Sequence, residues 1–192
     1  MKNIGTIELE SNRLLFRKAR INDSKDMFNN WANDKEVTKY LSWDAYEKEE
    51  NAVSYLKYLE EEYTKDNFYN WIVVSKEDNT PIGTIGAVDI DIKNNTIEIG
   101  YCYGRKWWGK GLATESLKRV IKFFFEEVEV ETIYADHIDA NPASGKVMEK
   151  TGMKYEGIMR KRVLNKVTKK KADLIYYSIT KEDYFKGDNH EN

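Results

Sequence analysis

Apolar positions along this chain recur with two periods, one helical and one extended. Met27, Phe28 and Trp31 stand three or four apart within 22–34, which predicts an amphipathic helix after a short strand at 13–17. Val53, Leu56, Leu59 and Tyr63 repeat that spacing on a second helix over 47–63, whose opposite face is acidic and reads as solvated. Three strands follow at 69–75, 82–90 and 96–103. The segments between them, 76–80 and 93–95, are rich in turn formers, so the three read as an antiparallel meander. Over 111–128 the period turns helical again, with Ala113, Leu117, Val120, Ile121 and Phe124 on one face. Beyond it come a strand at 132–138, a short helix opened by Asn141-Pro142 and ended by Gly152, and two strands near 155–163 and 172–179. Asn141 reads as the capping residue and Pro142 as the first helical one.

This order of elements predicts one mixed α/β sheet with helices on both faces, a single domain over 1–185, and a polar tail at 186–192 that is expected to be disordered. The chain has 192 residues and 41% hydrophobic content, enough for one core. Charged residues make up 33% but nearly cancel, to a net charge of -2, so no global field favours nucleic acid or an anionic membrane as partner. The start Met1-Lys2-Asn3-Ile4-Gly5 lacks the apolar stretch of a signal peptide, and no run of about 18 apolar residues occurs, so a cytoplasmic protein is expected. With one cysteine and two histidines, an internal disulfide and a cysteine-cluster metal site are excluded, and no metal is expected.

The period changes from strand to helix at Arg105-Lys106-Trp107-Trp108-Gly109-Lys110-Gly111-Leu112-Ala113. Two glycines let the backbone wrap closely, the first-turn amides of the helix have no internal partners, and Arg105, Lys106 and Lys110 add positive charge; together these point to a bound phosphate. Two other readings stand beside this one: a plain tight turn, and the nucleotide-binding Walker A loop, whose first seven positions Gly104 to Lys110 match. Against the latter, Gly111 stands where a hydroxyl should hold magnesium, and two tryptophans occupy the curl.

At these residues the chain resembles the GNAT acetyltransferase superfamily, whose pyrophosphate loop reads Gln/Arg-x-x-Gly-x-Gly/Ala before a helix; Lys106 to Gly111 fills that pattern with Lys in the first place. The likeness extends through Glu10-Ser11-Asn12-Arg13-Leu14-Leu15-Phe16-Arg17, Glu98-Ile99-Gly100-Tyr101, Asn141-Pro142-Ala143-Ser144 and Met148 to Met153, and on to Tyr155-Glu156-Gly157 and 173–178. These segments are similar to the RimJ/RimL group, which acetylates N-terminal amines of ribosomal proteins. The resemblance implies an α/β fold: a single-domain, GNAT-like, mixed and mostly antiparallel sheet with a splayed central strand pair and helices on both faces. It implies acetyl-CoA as co-substrate and a primary amine as acceptor, attacking the thioester directly in a ternary complex.

The resemblance also assigns places. Tyr101, Cys102 and Tyr103 on the splayed strand, the loop from Arg105 to Ala113, Asn141 and Ser144 would hold acetyl-CoA, with an amide near Tyr101 or Cys102 for the acetyl oxygen and a bulge near Gly100. Glu98 would accept the amine proton, against the alternative of a surface carboxylate that merely attracts a cation. Ser144 would protonate the departing sulfur, since Met148 stands where many members carry a tyrosine; Tyr134 and Tyr176 are alternatives. Trp31, Trp43 and Tyr46 would line the acceptor's cleft, although packing alone also explains Trp31.

Cys102 reads as an inert core thiol rather than a nucleophile, and His137 as a packed imidazole with a minor claim as base. The cations of 160–171 form a predicted hairpin, read as solvated or as meeting the 3′-phosphate of CoA, an acidic substrate or ribosomal RNA. The expected acceptor is a protein N-terminus. A small-molecule amine (polyamine, amino sugar or amino acid) and a catalytically silent CoA-binding module are the alternatives, and the expected assembly is a monomer or homodimer.

Overall fold

The computed structural model describes residues 1–188. Its strands are β1 (Leu9–Glu10), β2 (Leu14–Arg17), β3 (Asn70–Ser75), β4 (Thr80–Asp91), β5 (Thr96–Tyr103), β6 (Thr132–Ile138), β7 (Lys154–Leu164) and β8 (Lys171–Thr180). They form one 8-stranded sheet in the order β1-β2-β3-β4-β5-β6-β8-β7. Every neighbouring pair is antiparallel except β5 and β6, which run parallel. The helices are α1 (Ser24–Met27), α2 (Lys35–Thr38), α3 (Glu49–Glu62), α4 (Leu112–Phe123), α5 (Pro142–Lys150) and α6 (Lys181–Asp188).

β3 is apolar without alternation because both of its faces are covered. Trp71 and Val73 join the core that holds Leu117, Val120 and Ile121 of α4, and the Trp71 ring meets Phe123 edge-on at 5.5 Å. Ile72 and Val74, one residue out of phase, pack with Leu56 and Leu59 of α3 on the other side. Truncating a buried aromatic of this kind to alanine costs about 3–5 kcal/mol. A parallel pair needs a crossover rather than a hairpin, and α4 supplies it between β5 and β6.

The strands expected at 96–103 and 132–138 and the meander before them form as predicted, and several other elements differ. The helix expected over 22–34 is broken into a 3-10 turn, α1 and a π-type turn. Asp23 holds its entry by accepting from the Arg20 amide and from Arg17 Nη1 and Nη2, and Asn30 turns away to donate to the Pro81 carbonyl at 2.8 Å. The helix expected over 111–128 passes into a π-type turn over Phe124–Val128 and stops at Glu129, which takes the left-handed conformation. α6 takes in 186–188 of the expected tail; the remainder, 189–192, lies outside the described residues. No helix among the described residues is long and apolar enough to cross a membrane.

Candidate active site in the split sheet

β5 and β6 pair only at Thr96↔Thr132, Ile97↔Ile133 and Glu98↔Tyr134. Beyond Glu98 the strands part: β5 continues against β4 alone and β6 against β8 alone, so β5 backbone groups that face the gap have no strand partner. The associated register shift falls at Val88 on β4 rather than within β5, which corrects the expected position of the bulge. Gly100 faces it closely, since a Cβ there would stand 2.7 Å from Val88 Cγ2.

The far end of β5 runs into the glycine turn. Gly109 and Gly111 have φ of 73° and 78°, a region that side chains with a Cβ rarely enter. Gly111 is the capping residue of α4 and offers no side chain to its first amides, which leaves them for an anion. Trp107 is buried and anchors the turn to the core, whereas Trp108 is about half exposed and donates its indole N–H to the Tyr103 carbonyl at 2.7 Å. Lys106, Lys110 and Leu112 border one cavity with Arg13 and Lys76, while Arg105 is drawn the other way, into an ion pair with Asp34 at 3.0 Å.

A latch that sequence spacing does not show braces this turn. Glu115, in the first turn of α4, accepts from Ser11 Oγ and the Arg13 amide, both at 2.8 Å, and from Arg13 Nε at 2.7 Å; Arg13 Nη1 then donates to the Lys110 carbonyl at 3.0 Å. Burial alone would push the Glu115 carboxyl up, but these donors outweigh it and hold it below its ordinary value. Arg13→Gln is expected to raise the KM for acetyl-CoA about tenfold, the worth of one charge-assisted hydrogen bond, with a smaller change in kcat. Steady-state kinetics with acetyl-CoA varied would check this; an unchanged KM would contradict it.

At the closed end of the split, Glu98 gathers acidic company. Burial holds its carboxyl above the ordinary range, the Asp136 and Asp89 charges push the same way, and a hydrogen bond with Tyr134 offsets only part. Asp136 is raised as well, by burial first, with Tyr176 and Glu98 pulling it partly back. Glu98 and Asp136 therefore influence each other's protonation. Tyr134, whose phenol is pushed up to about 12 by burial and the Glu98 charge, also donates to Asp89 at 3.5 Å. Both carboxyl groups of the pair line a cavity of about 420 Å³ that reaches Asn141 and Ser144.

Across the split, the Tyr101 hydroxyl lies 3.0 Å from Ser144 Oγ and donates to the Ser144 carbonyl at 3.2 Å. Burial pushes its phenol up to about 12, so it keeps its proton at neutral pH. Asn141 opens α5 as expected, but its side chain makes no capping hydrogen bond. It lines the cleft instead, in a cavity of about 190 Å³ with Tyr101, Cys102, Tyr103, Trp108 and Ala113. The structure thus brings together most of the residues expected to hold the acetyl-CoA arm.

Trp43 and Tyr46, ring centroids 5.3 Å apart, line a third cavity of about 370 Å³, whose floor includes the fully buried Trp31. Cys102 borders this space too, with a thiol that burial pushes up to about 12, as an inert thiol requires. His137 is buried, bonded through Nδ1 to the Ile138 carbonyl at 2.8 Å and stacked on Tyr177, which fits the packed imidazole.

A sheet split beside a parallel strand pair, with a glycine turn at one end and two carboxyl groups at the other, frames one cleft in a single α/β domain. Residues 13–154 match the acetyltransferase (GNAT) domain model, and the chain belongs to that family. It is an acetyl-CoA-dependent N-acetyltransferase. It is 28% identical over 176 residues to the uncharacterized N-acetyltransferase p20 of Bacillus licheniformis, covering 92% of this chain and 97% of that one. A crystal structure of a GNAT-family acetyltransferase from Bacillus anthracis superposes with a TM-score of 0.80 at 27% identity, over 92% of this chain and 99% of the other. The ribosomal-protein-S5-alanine acetyltransferase of Vibrio fischeri shares the fold, with a TM-score of 0.80 at 21% identity over 93% and 98%.

Proposed function

We propose that this enzyme transfers the acetyl group of acetyl-CoA to the N-terminal α-amine of a polypeptide. The observation that carries this reading is the branching of the cleft at Val88 and Gly100. One branch ends on Glu98 and Asp136 and the other opens between Trp31, Trp43 and Tyr46, so the amine and the first side chain of a single acceptor have separate places. The RimJ/RimL-like segments and the shared fold with an S5-alanine acetyltransferase support the same acceptor. A small-molecule amine is the second reading; the third carboxylate, Asp89, favours it because it suits an acceptor with two cationic centres.

The acceptor arrives as an ammonium ion, and the acidic pocket attracts it. Glu98 takes one proton, a role worth about 10²–10⁴ in rate, and Asp136 positions it and shares the charge. The free amine attacks the thioester carbonyl, whose oxygen is received by a β5 amide in the split. The nitrogen of the tetrahedral intermediate gives up its second proton to water in the cleft, the intermediate collapses with cleavage of the C–S bond, and the thiolate takes a proton from Ser144, which regains one from Tyr101 as that phenol is reprotonated from solvent. The glycine turn holds the pyrophosphate, and Asn141 hydrogen-bonds the pantetheine arm.

Tyr101→Phe is expected to lower kcat by about tenfold, the cost of one lost hydrogen bond to a charged group, with little effect on the KM for acetyl-CoA; Ser144→Ala should lower it at least as much. Pre-steady-state thiol release measures the step, and two variants with unaltered rates would remove the pair from thiolate protonation. The acceptor itself is tested with a panel of peptides bearing free or blocked N-termini beside polyamines, amino sugars and amino acids. Thiol release with free-N-terminus peptides is the expected result, and release with small amines alone would overturn the reading.

A further inference from the structure

The β7–β8 hairpin carries an unused feature at the edge of the sheet. Residues 160–171 hold seven Lys and Arg and no acid, in a chain whose net charge is -2. Pairing between β7 and β8 slips between Met159 and Val163, and Arg160, Lys161 and Arg162 are thrown out of the ladder as a bulge. Lys161 sits there with φ of 54°, its amide held by Asp173 Oδ1 at 2.7 Å. Arg160, Lys161, Arg162, Lys169, Lys170 and Lys171 are exposed, and among the described residues none of these six is ion-paired. Exposed apolar side chains stand between the cations: Met159 is 50%, Leu164 54% and Val167 63% accessible.

This surface is continuous with the acceptor pocket. Val163, Leu164 and Lys166 form a wall of the same cavity as Glu98 and Asp136. Lys166 ties the hairpin over the cleft, pairing with Asp44 at 3.0 Å and donating to the Trp43 carbonyl. A chain leaving the amine pocket on this side therefore runs onto the basic bulge and turn.

We propose that this hairpin is a docking surface for an acidic stretch of the acceptor polypeptide, a few residues after the amine that is acetylated. The inference rests on the proposed protein acceptor. Six exposed cations without carboxylate partners fit carboxylates of a partner, and the apolar residues among them fit its side chains; a phosphate backbone would use the cations alone. Each exposed pair contributes little, so the surface acts through summed attraction and faster encounter, both weakened by salt.

The test uses three peptides with the same first two residues followed by acidic, neutral or basic residues, on the wild type and on Lys169→Glu/Lys170→Glu/Lys171→Glu, with a dipeptide as folding control. The expected result is a kcat/KM for the acidic peptide about tenfold or more above the basic one at low salt. Added salt should shrink that gap and the triple variant should remove it, while the dipeptide reacts equally with both enzymes. Acetylation of all three peptides at one rate, or a gap that survives in the variant, overturns the docking surface alone. Salt-sensitive retention of RNA with no preference among peptides assigns the hairpin to nucleic acid and overturns it too. Acetylation of small amines with none of the peptides overturns the acceptor reading and this inference together.

Discussion

Glu98→Gln is expected to lower kcat/KM by about 10²–10⁴ while leaving the affinity for acetyl-CoA unchanged. The side chain faces the acceptor branch of the cleft, and the cavity beside the glycine turn does not include it. In the wild type, activity should fall on the acid side around a pKa above the ordinary glutamate value, because burial and the neighbouring Asp136 and Asp89 charges keep the proton on Glu98. Asp136→Asn removes one of those charges, so the acid limb should move to lower pH.

Stability gives an independent readout. A carboxyl whose pKa is higher in the folded than in the unfolded chain stabilises the fold below the unfolded value, and that contribution is lost as pH rises through the folded one. Above its folded pKa the ionised Glu98 is therefore a cost, and Glu98→Gln should raise Tm as it removes turnover. Thermal melts at neutral pH together with the pH–rate profile check both signs; a joint loss of Tm and turnover would make Glu98 a structural residue.

Gly111→Val is expected to weaken acetyl-CoA binding strongly. A β-branched side chain at φ of 78° is strained by about 1–3 kcal/mol, and the turn relieves this by leaving the conformation that aims the α4 amides at the anion. A Cβ placed there stands 3.6 Å from Arg13 Nη2, an ordinary contact, so the effect comes from the backbone rather than from a clash. The dissociation constant should rise by about ten- to a hundredfold, measured by calorimetry with CoA and again with dephospho-CoA. The same loss with both ligands locates the defect at the pyrophosphate, whereas unchanged affinity would deny the turn its role.

Strong periods bounded by turn formers made the β3–β4–β5 meander, β6 and α5 legible in the sequence. Two-residue β1 and four-residue α2 are too short to show a period, and 22–34 kept its apolar spacing even though Asp23 and Asn30 break the helix through side-chain bonds to the backbone. α6 carries no period that marks it in the sequence, because its seating depends on tertiary contact, with Tyr184 stacked on Phe125 at a centroid distance of 5.1 Å.

The glycine loop was readable because its motif lies within a few residues, and Glu98 was singled out only by the family resemblance. Asp136 was not, since one aspartate in a strand carries no signal until the parallel register Glu98↔Tyr134 places it near Glu98. The Tyr101–Ser144 pair joins a strand to a helix 43 positions away, and the Arg13–Glu115 latch spans 102. Asn141 was placed correctly as a helix opener, but only the structure shows its side chain left over for the cleft.

The most direct test of the central claim is mass spectrometry of a peptide with a free N-terminus and an internal lysine, incubated with the enzyme and acetyl-CoA. The account predicts one acetyl group, on the α-amine, with a matching release of thiol and none from the Glu98→Gln variant. Acetyl on the lysine alone, or thiol released only when a small amine replaces the peptide, would contradict it.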